Sequence, residues 1–385
     1  MQESDKPVLL QIAGAYIKSE AYPNVLYRIR SLTEHPRILI KELHCSLLKN
    51  VKRPDNKLRT SGNPLQFVLC HFLVLVKFLF HRRHKIIYLP YPAIFFQYLV
   101  SLLPKRMRPE VTIIDAFISI YDTVVMDRRI LAEDTWLAKL LFIIEHRAFN
   151  SADYILVDTG CNRDYYARMY NLNRDKFIPV PLATDERTFR PTPYTAGKNE
   201  YCQILFIGTL IPLHGIQTII TAIKQLNNNH NLAFHIIGDG QDAAFIQDYA
   251  AMNPERFRWS RDWYSSARLN SAIINADICL GIFGSTPKTQ RVCPYKIYHY
   301  ARVGRPIITA KTEWTDSIVK SGAENPFLLV DSNNPGQLAE NILSLAHSPA
   351  MRLALADKSR EFYENQLSVS ASTRTFYNLL TNSPG

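Results

Sequence analysis

The chain has 385 residues, 47% of them hydrophobic, and only 14 glycines. That length allows two or three packed domains, and that composition excludes a disordered protein. A balance of 45 Lys and Arg over 34 Asp and Glu gives +11, which suits a phosphate-bearing substrate, an anionic membrane surface or nucleic acid. No recognised module or aromatic–basic interleaving supports the last, so no nucleic-acid partner is expected. The six cysteines form no CxxC pair and read as buried reduced thiols of a cytoplasmic protein. MQESDKPVLLQIAG lacks a basic start and a long apolar run, so no signal peptide is expected.

In chain order, 7–16 reads as a first strand turning at Gly14, 24–32 as a helix and 38–43 as a second strand. Residues 50–64 are polar and basic and read as a loop. The most hydrophobic stretch, Leu65 to Phe80, runs into the basic collar His81-Arg82-Arg83-His84-Lys85. It is short for a membrane span. Two readings stay open: a core helix, or an interfacial helix with its collar on anionic head groups. Strands at 86–89, 111–114 (ending on Asp115), 154–157 and 177–180 alternate with helices at 93–103, 136–149 and 161–170. PLATDERTFRPTPYTAGKNEY then reads as a linker. The alternation restarts with strands at 203–207 and 233–237, helices at 216–226, 243–251 and 265–276, and an irregular 259–264. A strand at 327–330 and helices from 335 to about 380 close the chain. The expected fold is α/β, two Rossmann-like doubly wound domains facing across a cleft, at 1–190 and 191–385, the C-terminal helix capping the first.

One stretch carries most of the chemistry. ADICLGIFGSTPKTQRVCPYKIYHYARVGRPIIT, 276–309, reads strand, cationic loop, helix, glycine turn, strand. Pro294 suits a first helical turn and Gly304 an ending. Lys288, Arg291 and Lys296 lie between a strand end and a helix N-terminus, where unpaired N–H groups and the helix dipole favour phosphate. Solvated loop cations are the plainer alternative.

FIGTLIPLHGIQTIITAI, HIIGDGQD, ADICLGIFG and PYKIYHYARVGRPIIT, in that order, together resemble the C-terminal half of family-4 GT-B glycosyltransferases. The likeness is to the bacterial subgroup carrying PLHGI, and DAFISIYDT, YILVDT and VPVPLATDERTFRP extend it into the first half. The resemblance implies a retaining transferase that moves a sugar from a nucleotide sugar to a glycan or lipid-linked acceptor in envelope or extracellular polysaccharide synthesis. It implies a same-face mechanism in which the leaving phosphate assists the acceptor, with no cofactor and no metal. The expected location is cytoplasmic, peripheral on the inner face of the plasma membrane.

It also implies a set of site residues. Gly208 and Thr209 admit the diphosphate to backbone N–H groups. His214 stands where the family usually has Lys, and is either a diphosphate contact or a helix-start turn residue. Arg291 and Lys296, with Lys288, supply the charge that stabilises the departing diphosphate. The family's two carboxylates, eight residues apart, correspond here to Arg291 and His299, so His299 falls at the ribose position and must be neutral there. Gly14 faces the nucleotide sugar from the first domain. Asp115 and Asp122 either meet the acceptor hydroxyl or serve as turn and cap residues. Two other functions remain open: a nucleotide-sugar epimerase of similar fold, and a catalytically weakened sugar-binding homologue.

Overall fold

The computed structural model describes residues 7–15, 22–45, 64–81, 85–195, 200–226, 231–252, 255–262, 264–320, 322 and 324–382. The polar loop at 50–63 and residues 82–84 of the basic collar lie outside them. In chain order come β1 (Val8–Gly14), α1 (Pro23–Thr33), β2 (Ile38–His44), α2 (Pro64–Phe80), β3 (Ile86–Leu89) and α3 (Ala93–Leu102). Then follow β4 (Val111–Asp115), α4 (Trp136–Ser151), β5 (Tyr154–Val157), α5 (Gly160–Met169) and β6 (Phe177–Pro179). The second run is β7 (Cys202–Ile207), α6 (Ile216–Gln225), β8 (Leu232–Ile237), α7 (Ala244–Met252), β9 (Phe257–Ser260), α8 (Ser266–Ile274) and β10 (Ile278–Leu280). It ends with α9 (Tyr295–Val303), β11 (Ile307–Ala310), α10 (Glu313–Lys320), β12 (Leu328–Val330), α11 (Pro335–His347), α12 (Pro349–Phe362) and α13 (Val369–Asn382).

These elements form two compact units, residues 7–184 with 369–382, and residues 185–368. The first holds a parallel six-stranded sheet in the order β2-β1-β3-β4-β5-β6. Helices cover both faces, so its central strands read as continuous apolar runs, and β4 is buried at every position. One face packs α2 to α5 through Val74, Phe96, Phe149 and Tyr166. The other packs α1 and α13 through Val25, Leu32 and Phe376. α13 is tied down by Thr373 Oγ1 donating to Ser31 Oγ at 3.0 Å and by the Phe376 ring edge-on to Tyr88 at 5.0 Å.

Both open readings of the apolar stretch at 65–80 bear on its geometry. One stripe of α2, Cys70, Val74 and Phe78, is core, while Val68, Phe72 and Phe80 on other faces are exposed.

The second unit's sheet is also all parallel, in the order β12-β11-β10-β7-β8-β9. The stretch at 259–264, expected to be irregular, begins with the end of a sixth strand. β9 is a four-residue edge strand, FRWS, with only Phe257 buried. An edge strand needs no apolar run, because only part of it is covered. β7 lies between β8 and β10, so the chain reverses direction across the sheet at β7/β10. The carboxyl ends of the strands at such a switch point are where doubly wound sheets bind ligands.

Candidate functional site

The switch point of the second unit brings four of the expected residues together. β7 ends at Gly208, and the PLHG turn (212–215) crosses back over the end of β10. The two loops touch backbone to backbone. A Cβ on Gly215, whose φ is 65°, would sit 2.5 Å from the Gly284 nitrogen, and one on Gly284 2.3 Å from the Pro212 carbonyl. The Phe283 N–H donates to the His214 carbonyl at 3.1 Å. PLHG and IFG, read apart in the sequence, are thus one joint.

Over Gly208 lie two side chains. A Cβ there would meet His214 Cε1 at 2.8 Å and Lys296 Nζ at 2.9 Å, so only glycine fits beneath them. His214 Nδ1–H donates to the Thr209 carbonyl. That leaves Nε2 of the neutral ring as an acceptor, and it becomes a donor to an anion only when the ring is charged.

Lys296, in the first turn of α9, is 6% exposed. Its ammonium donates to the Gly281 carbonyl at 3.3 Å and lies 3.7 Å over the Phe206 ring. Burial holds its pKa well below the ordinary lysine range, and among the described residues no carboxylate offsets this. A buried ammonium held by one carbonyl and a ring face is a poor structural element and a ready anion site.

Arg291 is buried and turned toward its own loop, its Nε donating to the Pro287 carbonyl at 3.1 Å. Lys288 is half-buried on that loop. His299 is half-buried, stacked flat on Phe189 (4.0 Å, 9°) and edge-on to Tyr295 (4.7 Å). Its pKa is pushed down to about 4. Burial lowers it and Asp185 opposes, whereas Arg291 and Lys296 do not contribute.

A pH profile follows. A His pushed down by burial contributes stability that is present above the ordinary imidazole range and lost as pH falls toward about 4. His235 is also pushed down to about 4, so the readout is a difference. His299→Phe, which keeps the stack, should flatten the loss of melting temperature between pH 7 and 4.5 relative to the parent. Identical slopes would show that this imidazole does not titrate there. Nucleotide affinity governed by His299 should stay level down to about pH 5.

In the first unit, Gly14 ends β1 at that sheet's own reversal, β1/β3. Asp115 is fully buried, and its carboxylate is committed. Oδ2 accepts from Arg28 at 2.7 Å and from Tyr88 OH at 3.0 Å, and Oδ1 from the Phe117 N–H at 3.3 Å. Arg28 also donates to the Pro181 carbonyl at 3.0 Å. Asp115 thus ties α1, β3 and β4 together.

Asp122 is buried at the start of a π-helical turn, Asp122–Asp127, and its N–H donates to Ser119 Oγ at 3.0 Å. What holds that turn is a residue the sequence reading passed over. Glu145 of α4, fully buried, accepts from Ser119 Oγ (3.0 Å), the Ile120 and Tyr121 N–H groups (2.9 Å each) and Tyr170 OH (2.8 Å). Burial pushes its pKa up while the four donors pull it down. A lone Glu amid WLAKLLFIIEHRAF was the available signal.

Comparison with known proteins bears on the fold and the kind of enzyme. A stretch of 171 residues is 26% identical to an uncharacterized glycosyltransferase of Methanocaldococcus jannaschii, covering 43% of this chain and 44% of that relative. Among solved structures, HepE of Anabaena, crystallised with UDP, superposes with a TM-score of 0.66 over 97% of this chain and 99% of its own, at 11% identity. Sucrose-phosphate synthase of Thermosynechococcus elongatus gives 0.68 over 98% and 100%, at 14% identity. The two parallel six-stranded sheets are the α/β fold of GT-B glycosyltransferases, and residues 202–348 match the family described as glycosyl transferases group 1.

Proposed function

We propose that the protein is a retaining glycosyltransferase that moves a sugar from a nucleoside-diphosphate donor to a glycan or lipid-linked acceptor, in envelope or extracellular polysaccharide synthesis on the cytoplasmic side of the membrane. The observation that carries this is Lys296, buried over Gly208 at the β7/β10 switch point with no carboxylate beside it among the described residues. A donor diphosphate supplies the missing anion. Its oxygens would accept from Lys296, from the Thr209 N–H of the Gly208 turn and from the α9 N-terminus. As the sugar–phosphate bond breaks, negative charge grows on the leaving phosphate. A fixed cation in a dry site stabilises that charge more than it does the intact donor, which is what speeds the reaction. No protein base is required if the leaving phosphate takes the acceptor proton on the same face.

HepE and its UDP and UDP-glucose complexes make uridine donors the first to test. Calorimetry with a panel of nucleoside diphosphates and nucleotide sugars should show binding by the diphosphates and not by the nucleosides. Turnover of the bound nucleotide sugar should depend on added acceptor. Donor conversion without acceptor would favour an epimerase, and binding without turnover a weakened sugar-binding homologue. Equal affinity for a nucleoside and its diphosphate would remove the basis of the proposal.

A further inference from the structure

The carboxyl end of the first sheet gathers three rings and two donor groups that have no acceptor. Tyr22, Tyr91 and Phe117 lie on the segments that leave β1, β3 and β4, the strands around that sheet's reversal. Tyr22 packs edge-on to Tyr91 at 4.9 Å, and Tyr91 is tilted against Phe117 at 4.8 Å. Tyr91 is buried, while Tyr22 and Phe117 on its two sides are half-buried. Rings at the carboxyl ends of parallel strands can serve as the apolar part of a ligand platform.

The polar part consists of donors. Asn24, in the first turn of α1, is 5% exposed, and its Nδ2 is buried with no hydrogen-bond partner among the described residues. α1 also starts without a side-chain cap. Arg128 follows the π-helical turn that opens at Asp122, and its Nε is likewise buried and unpartnered. Among the described residues its guanidinium pairs with no acid, neither Asp122 and Asp127 of that turn nor Glu133 and Asp134 beyond it. The charge of Arg128 reaches the Tyr91 phenol, as do those of Asp115 and Glu145. Those two acids are already answered, Asp115 by Arg28 and Glu145 by its four donors. The charge of Arg128 is not.

We propose that this platform holds the acceptor of the sugar transfer, and that the acceptor is a sugar bearing an anionic group, a carboxylate or a phosphate. Arg128 and Asn24 bind the anion, and the sugar ring lies against Phe117. The inference rests on the sugar-transfer reading and names the acceptor within it. The C–H face of a pyranose suits an aromatic ring, and anionic oxygens suit a site whose open polar groups are donors. A lipid tail or a simple alcohol would leave Arg128 and Asn24 as they are. A neutral sugar would satisfy Asn24 and leave the charge unanswered.

The test is a saturation-transfer NMR titration of the full chain, without nucleotide, using methyl glucoside, glucuronate and glucose 6-phosphate. At least one of the two anionic sugars should bind about tenfold more tightly than methyl glucoside, and the tighter one names the anion. Arg128→Gln should abolish that preference, and Arg128→Lys should keep part of it. Asn24→Asp, which suits a helix start and so keeps the fold, should weaken the anionic sugars by about tenfold. Phe117→Ala should weaken all three sugars alike. Lys296→Met should leave the preference in place, because that ammonium belongs to the other unit. Uridine diphosphate should bind the first-unit variants as it binds the parent. A parent that binds anionic sugars and no diphosphate would strike the transfer reading and leave this platform standing. Equal binding of the three sugars, binding of none, or a preference that survives Arg128→Gln and Asn24→Asp would overturn the proposal. So would a preference lost in Lys296→Met, or inorganic phosphate that displaces the sugars at equal concentration, which would mark an anion site only.

Discussion

Lys296→Met should lower turnover of the nucleotide sugar by roughly a hundredfold while leaving the fold as stable as the parent or more so. The two halves of that result have one cause. In the free protein the Lys296 ammonium is buried with one carbonyl and the Phe206 ring for company, and burial holds its pKa well below the ordinary range. A lysine whose folded pKa is depressed contributes stability that is present above the ordinary lysine range and lost as pH falls through the folded value. At neutral pH it is therefore a burden on folding, and an apolar chain of similar length removes the burden and keeps the packing. The bound diphosphate reverses the balance by favouring the charged form. Donor binding should accordingly raise the pKa of Lys296, and at a pH where the free lysine titrates calorimetry should show a binding enthalpy that changes with the ionisation enthalpy of the buffer. Met should abolish that difference. Normal turnover in the folded variant would reduce the loop to a connector, and a clear drop in melting temperature would mean the ammonium is structural after all.

The sequence shows the strands, and much less of what the polar residues do. The inner strands of the first sheet are legible because parallel strands covered on both faces are mostly apolar, as IIYL is, and the edge strands β2 and β6 because they open on the apolar ILI and FIP. β9 escapes because only Phe257 of its four residues is buried, and Trp259 within it belongs to the stretch expected to be irregular. GRP after α9 is legible as a stop, since Gly304 takes φ 74°. The second task of Arg305 is not. Buried, its guanidinium donates to the carbonyls of Ile273 and Ile274 at the end of α8, of Val303 and Gly304 at the end of α9, and of Thr192. The acids behave likewise. Asp115 sits at a strand end like a catalytic residue, and only its partner Arg28, 87 positions away, shows that its charge is already used. Hydrophobic periodicity reports local burial, whereas the role of a charge depends on which distant group faces it. Lys296 is the instructive exception. The resemblance implies its place beside the Gly208 turn, but its lack of a counter-ion among the described residues could be known only from the packing.

Glu145→Ala should produce the largest loss of stability in the first unit. The carboxylate satisfies the Ile120 and Tyr121 N–H groups and two hydroxyls in a fully buried site. Alanine leaves the two N–H groups without acceptors at about 1–3 kcal/mol each, against a total stability of about 5–15 kcal/mol. The melting temperature should fall by roughly 5–20 °C. Glu145→Gln should recover only part of this, because its amide must set an NH2 against one of the donors it replaces. The loss is local in a useful way. The residues Glu145 fixes, Ser119 to Tyr121, lead directly into Asp122, the other acceptor-side candidate. The Gly208–Lys296 site belongs to the other unit. If Asp122 acts on the acceptor, Glu145→Gln at a permissive temperature should raise the acceptor KM or lower kcat while nucleoside diphosphate binding stays at the parent value. A melting temperature for the Ala variant within about 2 °C of the parent would show that water replaces the carboxylate at no great cost. Equal losses in acceptor use and nucleotide affinity would show that Glu145 supports the whole chain and not one side of the reaction.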